Sequence, residues 1–205
     1  MKNDQKSLDK SERNLKKLES NLENIITKAC MSKEWDLIID EVAPDIYTWP
    51  LFTIQFCSEM ITMAEQHEWT RSRHKFYPTT DMLLENFGMS EAYHSILREY
   101  VYPAAVHKWK LEGTTWEELS FESFIIKYTP GDQSHLSLHH DHSKITAITT
   151  LNDDFEGGGT YFERQNFLLT SSPGHMSIHP GSITHRHGAR SVTKGVRYVI
   201  VTFST

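Results

Sequence analysis

His139, His140 and Asp141 stand in sequence, and eight of the chain's twelve histidines fall between His135 and His187. On an extended strand, side chains alternate faces, so His139 and Asp141 point one way and His140 the other. A neutral imidazole and a carboxylate on one face are two-thirds of a 2-His-1-carboxylate facial triad. Such a triad holds a non-haem Fe(II) and leaves coordination positions open. The third ligand must come from a distant strand that folds back. His187 lies 48 residues after His139, and His185 competes because it shares a face with His187 on an extended segment.

An iron site of this kind takes 2-oxoglutarate through its 2-oxo group and C1 carboxylate, and the C5 carboxylate then needs a buried cation. Arg197 is that cation. It shares its strand face with Val199, Val201 and Phe203, an apolar row expected to face inward, and arginine can grip a carboxylate bidentately. A buried arginine without a partner is very costly, so a carboxylate beside it is expected. In a double-stranded β-helix oxygenase the distal histidine and the basic residue lie on neighbouring strands. The ten residues from His187 to Arg197 suit a hairpin through 191–195, which favours His187 over His185. Tyr128, inward on its own strand, could donate its hydroxyl to the same carboxylate. HxD alone is common by chance, but with a distal histidine and arginine at this offset it is specific. The pattern predicts an Fe(II)- and 2-oxoglutarate-dependent dioxygenase, with metal ligands His139, Asp141 and His187. Co-substrate contacts fall on Tyr128 and Arg197, and Arg197 is also the candidate catalytic residue. His135, His140, His142, His175 and His179 read as ordinary surface or hydrogen-bonded histidines.

These residues need a rigid β framework, and from Leu119 the pattern is β. Phe124, Ile126 and Tyr128 share one face, with Ser123 and Lys127 on the other. Further strands are predicted at 136–141, 144–151, 159–163, 166–169, 175–179 and 197–203, with turn residues between. That spacing suits a sandwich or barrel. Gly157-Gly158-Gly159 lacks the lysine and following helix of a phosphate loop, so it reads as structural. Residues 31–118 read as the helical part of the domain. Helix is expected over 52–69 and 90–109, with Ser90 as N-cap and a kink or break at Pro103, and a loop over 71–82. An extended stretch ends at Tyr47-Thr48-Trp49. Residues 1–30 carry Leu8, Leu15, Leu18, Leu22 and Ile25 at helical spacing, an amphipathic arm that docks on the domain, frays, or pairs with a second copy.

With 205 residues, 38% hydrophobic and 23% charged, the composition is that of one soluble globular domain. A net charge of −6 gives no sign of nucleic-acid binding. Cys30 and Cys57 are too few for a zinc knuckle or a disulfide framework. Met1-Lys2-Asn3-Asp4 begins no apolar leader, so no signal peptide is visible, and no run suits a membrane span.

Several stretches together resemble the catalytic domain of the procollagen lysyl hydroxylases. They are Phe124-Ile125-Ile126-Lys127-Tyr128-Thr129-Pro130, Ser137-Leu138-His139-His140-Asp141, and Asp154 through Phe162 with its three glycines. His179-Pro180-Gly181-Ser182-Ile183-Thr184-His185-Arg186-His187, Gly195-Val196-Arg197-Tyr198 and the upstream Tyr77-Pro78-Thr79-Thr80-Asp81-Met82 complete the match. The resemblance implies an α+β fold, a double-stranded β-helix (distorted jelly roll) with N-terminal helices packed on it. It implies hydroxylation at C5 of peptidyl lysine in collagen-like sequences, releasing succinate and CO₂. Fe(II), 2-oxoglutarate, O₂ and ascorbate are the implied cofactors and co-substrates. It also implies a homodimer and the endoplasmic reticulum lumen. There is one departure: the family's co-substrate asparagine, seven residues after the ligand aspartate, falls here on Ile148. Thr149 is the expected substitute and Thr146 the alternative. A further basic contact would fall on Arg71 or Arg73. The rival readings are a prolyl hydroxylase or other 2-oxoglutarate oxygenase, and a non-catalytic binding protein on the same fold.

Overall fold

The computed structural model describes residues 22–110 and 119–205. The expected stripe through Leu8, Leu15 and Leu18 lies outside them. The described end of that arm docks on the domain. Single helical turns at Leu22–Ile25 and Lys28–Met31 bring Ile26 and Cys30 fully into the core. Thr27 caps the second turn, its hydroxyl accepting from the Cys30 N–H at 3.2 Å.

The strands follow in chain order. β1 (Asp40–Ala43), β2 (Ile46–Pro50) and β3 (Asp81–Leu83) precede the motif region. β4 (Phe121–Tyr128), β5 (Leu136–His139), β6 (Ile145–Thr150), β7 (Glu156–Gly157) and β8 (Thr160–Phe162) follow. β9 (Phe167–Leu169), β10 (His175–Pro180), β11 (His187–Ala189), β12 (Val192–Lys194) and β13 (Arg197–Ser204) complete the chain. A large antiparallel sheet runs β1-β2-β10-β6-β13-β4-β3, a small one runs β5-β11-β8-β9, and β7 pairs with β12. Pleating sorts the residues of the large sheet. Ile125, Ala147, Ile178 and Ile200 join Trp49, Phe52, Met60 and Leu97 in a core beneath the helices. Phe124, Ile126, Ile148, Val199 and Val201 face the other way and cluster with Ala189 of the small sheet. Covered on both faces, β6 is buried at every position. This is the expected α+β jelly roll with helices on one side.

The helical layer is α1 (Ile54–Ala64), α2 (Ser90–Ile96) and α3 (Tyr102–Trp109), the last two joined by a π-helical stretch at Leu97–Val101. Thr53 caps α1 through the Phe56 N–H at 3.2 Å. Pro103 brings no N–H to the helix ladder, and the widened turn just before it absorbs the defect without ending the helical run. Sequence periodicity overestimates helix in this half. β1 and β3 lie inside it, α1 ends before Trp69, and Ser90 is the first helical residue rather than a cap, while the extended stretch expected to end at Trp49 is β2. Strands of three to five residues carry too few side chains for an alternation to stand out.

Gly174 ties three segments together. Its carbonyl accepts from the Leu51 and Phe52 N–H groups at 3.1 and 2.8 Å, and its own N–H donates to Thr150 at 2.8 Å. Its φ is +82°, and a Cβ there would collide with the Phe52 backbone. Gly174→Ala is expected to lower stability by roughly 2 kcal/mol or more, read as a fall in the urea midpoint. An unchanged midpoint would contradict this account of the junction.

Candidate active site

β5 and β11 are neighbours in the small sheet, and their register sets His139 directly opposite His187. The two rings stand 4.6 Å apart, centroid to centroid. β5 ends at His139, so Asp141 lies just beyond the strand, not on it. The chain turns back and brings its carboxylate to both rings. Oδ1 is 3.3 Å from His139 Nε2, and Oδ2 is 3.7 Å from His187 Nε2. One ligand atom from each of the three residues falls within 4.8 Å of the others.

The imidazoles are oriented by the backbone. His139 Nδ1 is 2.9 Å from the Ser137 carbonyl, and His187 Nδ1 is 2.9 Å from the His185 carbonyl. A carbonyl can only accept, so each Nδ1 carries the proton and each Nε2 presents a lone pair to the common centre. The Thr146 hydroxyl donates to Asp141 Oδ2 at 2.6 Å and fixes the carboxylate. Burial would raise the Asp141 pKa, but the His139 hydrogen bond and the neighbouring imidazoles hold it far below the usual carboxylate range. At His139 burial pulls the pKa down, yet the bond and charge of Asp141 and the Ser137 carbonyl outweigh it and leave it raised. His187 is lowered, chiefly by burial. An anionic carboxylate and two outward lone pairs in one small sphere fit a divalent transition metal.

The triad opens on a chamber of about 430 Å³ between the two sheets. Arg197 and Tyr128 sit opposite each other on β13 and β4 and line its inner end. Arg197 is only 4% exposed, with Nη2 3.3 Å from the Thr160 hydroxyl and its guanidinium 5.5 Å from the Tyr128 ring centre. Among the described residues no carboxylate pairs with it. Burial lowers its pKa, but a guanidinium stays charged in proteins. Burial pushes the Tyr128 hydroxyl up to about 12, so it is a donor at neutral pH. Gly158 leaves space here, since a Cβ at that position would stand 3.3 Å from Arg197 Cδ.

Several expectations are corrected. Thr149 faces the helices, where its hydroxyl meets Tyr93 Oη at 2.8 Å, so it cannot touch the co-substrate. The pleat instead gives Thr146 and Ile148 to the chamber. His185 sits in a 3₁₀ turn rather than an extended segment, its Nε2 3.1 Å from the Pro44 carbonyl, away from the triad. His187 and Arg197 belong to different sheets, with β12 between them in sequence, and face each other across the chamber instead of sharing a hairpin. Arg71 pairs with Asp132, and Arg73 with Asp81 and Glu122, so neither reaches the inner end. His179 is hydrogen-bonded, as expected, its Nδ1 2.9 Å from the Pro180 carbonyl, and it is fully buried. It packs edge-on against His187 at 4.7 Å, and burial drives its pKa down to about 3. Sequence reading missed Thr160 and Tyr77, whose ring lies 4.9 Å from that of His139. Thr160 carried one signal, its place after the glycine run; Tyr77 lies on a loop without periodicity.

No family model matches the chain. Its backbone is similar to solved structures of one class. A viral collagen prolyl hydroxylase from Paramecium bursaria Chlorella virus-1, in its 2-oxoglutarate complex, superposes with a TM-score of 0.60. It is 14% identical, over 78% of this chain and 95% of that one. A Pseudomonas putida prolyl-4-hydroxylase superposes with a TM-score of 0.58 at 11% identity, over 78% of this chain and 91% of that one. The fold is that of the 2-oxoglutarate- and Fe(II)-dependent oxygenases. In sequence, the chain is similar to the procollagen lysyl hydroxylases. It is 32% identical over 180 residues to the rat multifunctional procollagen lysine hydroxylase and glycosyltransferase LH3, covering 81% of this chain and 24% of the relative. It is 31% identical over 192 residues to mouse procollagen-lysine,2-oxoglutarate 5-dioxygenase 1, covering 86% and 25%. The chain thus spans about a quarter of the length of the curated relatives it matches.

Metal binding must displace the His139 proton, and the raised pKa of that group strengthens the competition. Mn(II) affinity measured by calorimetry is therefore expected to weaken as the pH falls and His139 takes up its proton. His187→Ala should abolish binding and His185→Ala should retain it. Loss in His185→Ala with retention in His187→Ala would assign the distal ligand the other way.

Proposed function

We propose that this chain is an Fe(II)- and 2-oxoglutarate-dependent dioxygenase that hydroxylates C5 of peptidyl lysine in collagen-like Gly-X-Lys sequences. The observation that carries the oxygenase reading is the buried, unpaired guanidinium of Arg197 in the same chamber as the triad. An isolated buried charge is costly, and the C5 carboxylate of 2-oxoglutarate answers it. The sequence similarity to lysyl hydroxylases supports lysine as the residue modified.

In this reading His139, Asp141 and His187 hold Fe(II), and Arg197 with Tyr128 and Thr160 holds the far carboxylate of the co-substrate. Bound Fe(II), 2-oxoglutarate and O₂ supply the oxidation of a C–H bond to an alcohol, with succinate and CO₂ as by-products. The chain orients these groups. Thr146 aims Asp141, the two backbone carbonyls fix the imidazoles, and the apolar wall of Ile148, Val199 and Val201 keeps water away. With Ile148 where the family has asparagine, the co-substrate relies on the arginine end. Ascorbate as the reductant that keeps iron Fe(II), and a homodimer, complete the reading on the strength of the resemblance. Light scattering tests the dimer, and a concentration-independent monomer excludes it.

Incubation with Fe(II), 2-oxoglutarate and ascorbate should add one oxygen to lysine in a Gly-X-Lys peptide. Equal turnover of a proline-only control would move the protein to the prolyl hydroxylases. Arg197→Ala should raise the 2-oxoglutarate KM, at a cost of roughly 2–5 kcal/mol for the lost charge pair. An unchanged KM would remove Arg197 from the site.

A further inference from the structure

The chamber is charged oppositely at its two ends. β4 and β13 run its full length side by side, with Tyr128 opposite Arg197 at one end and Glu122 opposite Phe203 at the other. Six residue steps along the strand separate these ends, roughly 20 Å at the rise of an antiparallel strand. Among the described residues, Glu122 and Asp141 are the only acidic side chains lining the chamber.

The register also places Glu122 beside the metal site. Thr146, Phe203 and Glu122 form one cross-strand row over β6, β13 and β4, and Thr146 is the residue bonded to Asp141. Glu122 and Thr146 are therefore two strands apart, about 10 Å between Cα atoms. The Glu122 charge is only partly answered. Arg73 Nη1 is 2.7 Å from it, but Nε of the same guanidinium is 2.6 Å from the fully buried Asp81. One cation shared by two carboxylates leaves one negative charge at the mouth. His74, 3.5 Å from Asp81, does not offset it near neutral pH, because burial lowers its pKa. The wall between is aromatic. Phe124 and Phe203 meet edge to face at 5.3 Å, and the Arg73 guanidinium already lies 4.6 Å from the Phe124 ring centre. Aromatic faces attract cations.

We propose that Glu122 is the specificity-determining residue of this site, its carboxylate and the neighbouring phenyl faces receiving the ammonium group of the substrate lysine. This rests on the lysine reading above. The carbon to be hydroxylated lies two bonds from that nitrogen, so anchoring the charge across the row from Asp141 sets that carbon beside the metal. Proline has no such charge to anchor.

Calorimetry on the Mn(II)- and 2-oxoglutarate-loaded chain tests the assignment. The probes are a capped Gly-X-Lys peptide and its norleucine counterpart, which lacks only the ammonium group. Wild type should prefer the lysine peptide. Glu122→Gln should bind it about fivefold more weakly, the scale of a half-exposed ion pair, with norleucine-peptide and 2-oxoglutarate affinities unchanged. Glu122→Asp should keep part of the preference. A second measurement needs no variant: added salt should weaken lysine-peptide binding and leave the norleucine peptide unaffected. An undiminished lysine preference in Glu122→Gln, or a flat salt response, overturns the role of Glu122 while lysine hydroxylation stands. A wild-type chain that shows no lysine preference and modifies only proline peptides overturns both.

Discussion

Arg197 is a full positive charge placed between two β-sheets, and the inner end of the molecule is arranged around it. Its aliphatic stem lies against the glycine run, Thr160 accepts one of its N–H groups, and Tyr128 faces it from the paired strand. None of these is an anion. Fold energetics alone would not favour such an arrangement, so the guanidinium is best understood as half of an ion pair whose other half arrives with the co-substrate. That requirement suits the place of β13 as an interior strand of the large sheet. It gains partners on both sides, β6 and β4, and holds the arginine with little freedom to move.

The metal site shows the complementary strategy, in which neutral groups do the positioning. Both histidines are held through Nδ1 by carbonyls two residues earlier in the chain, so ring orientation follows from backbone conformation. Asp141 belongs to neither sheet and is fixed by a threonine from the opposite one. The triad therefore bridges the two sheets, and their packing determines its geometry. Substitutions in the apolar cluster between them, such as Ile148 or Val201, should be felt at the metal.

The site was legible where its residues obeyed strand alternation. The inward row from Arg197 to Phe203 and the inward Tyr128 follow from the period of two, whereas sequence spacing selects His187 as distal ligand through a hairpin to Arg197 that the fold does not contain. Where the chain leaves regular structure, the reading weakens. Asp141 lies past a strand end, His185 in a 3₁₀ turn, and Tyr77 on a loop. Thr149 shows the sensitivity of the pleat: a single position separates it from the chamber-lining Ile148, and it faces Tyr93 instead. In the first half of the domain, short strands and a π-helical turn produce no distinct period, and Pro103 is accommodated by neighbouring geometry that sequence does not reveal.

The most direct test of the account is an anaerobic visible spectrum of the chain with Fe(II) and 2-oxoglutarate. Chelation of Fe(II) by the 2-oxo acid gives a metal-to-ligand charge-transfer band, which requires the triad to hold iron and the chamber to hold the co-substrate together. The account predicts a saturable band in the wild type that needs far more 2-oxoglutarate to develop in Arg197→Ala. No band in the wild type, or identical titrations of the two proteins, would contradict it.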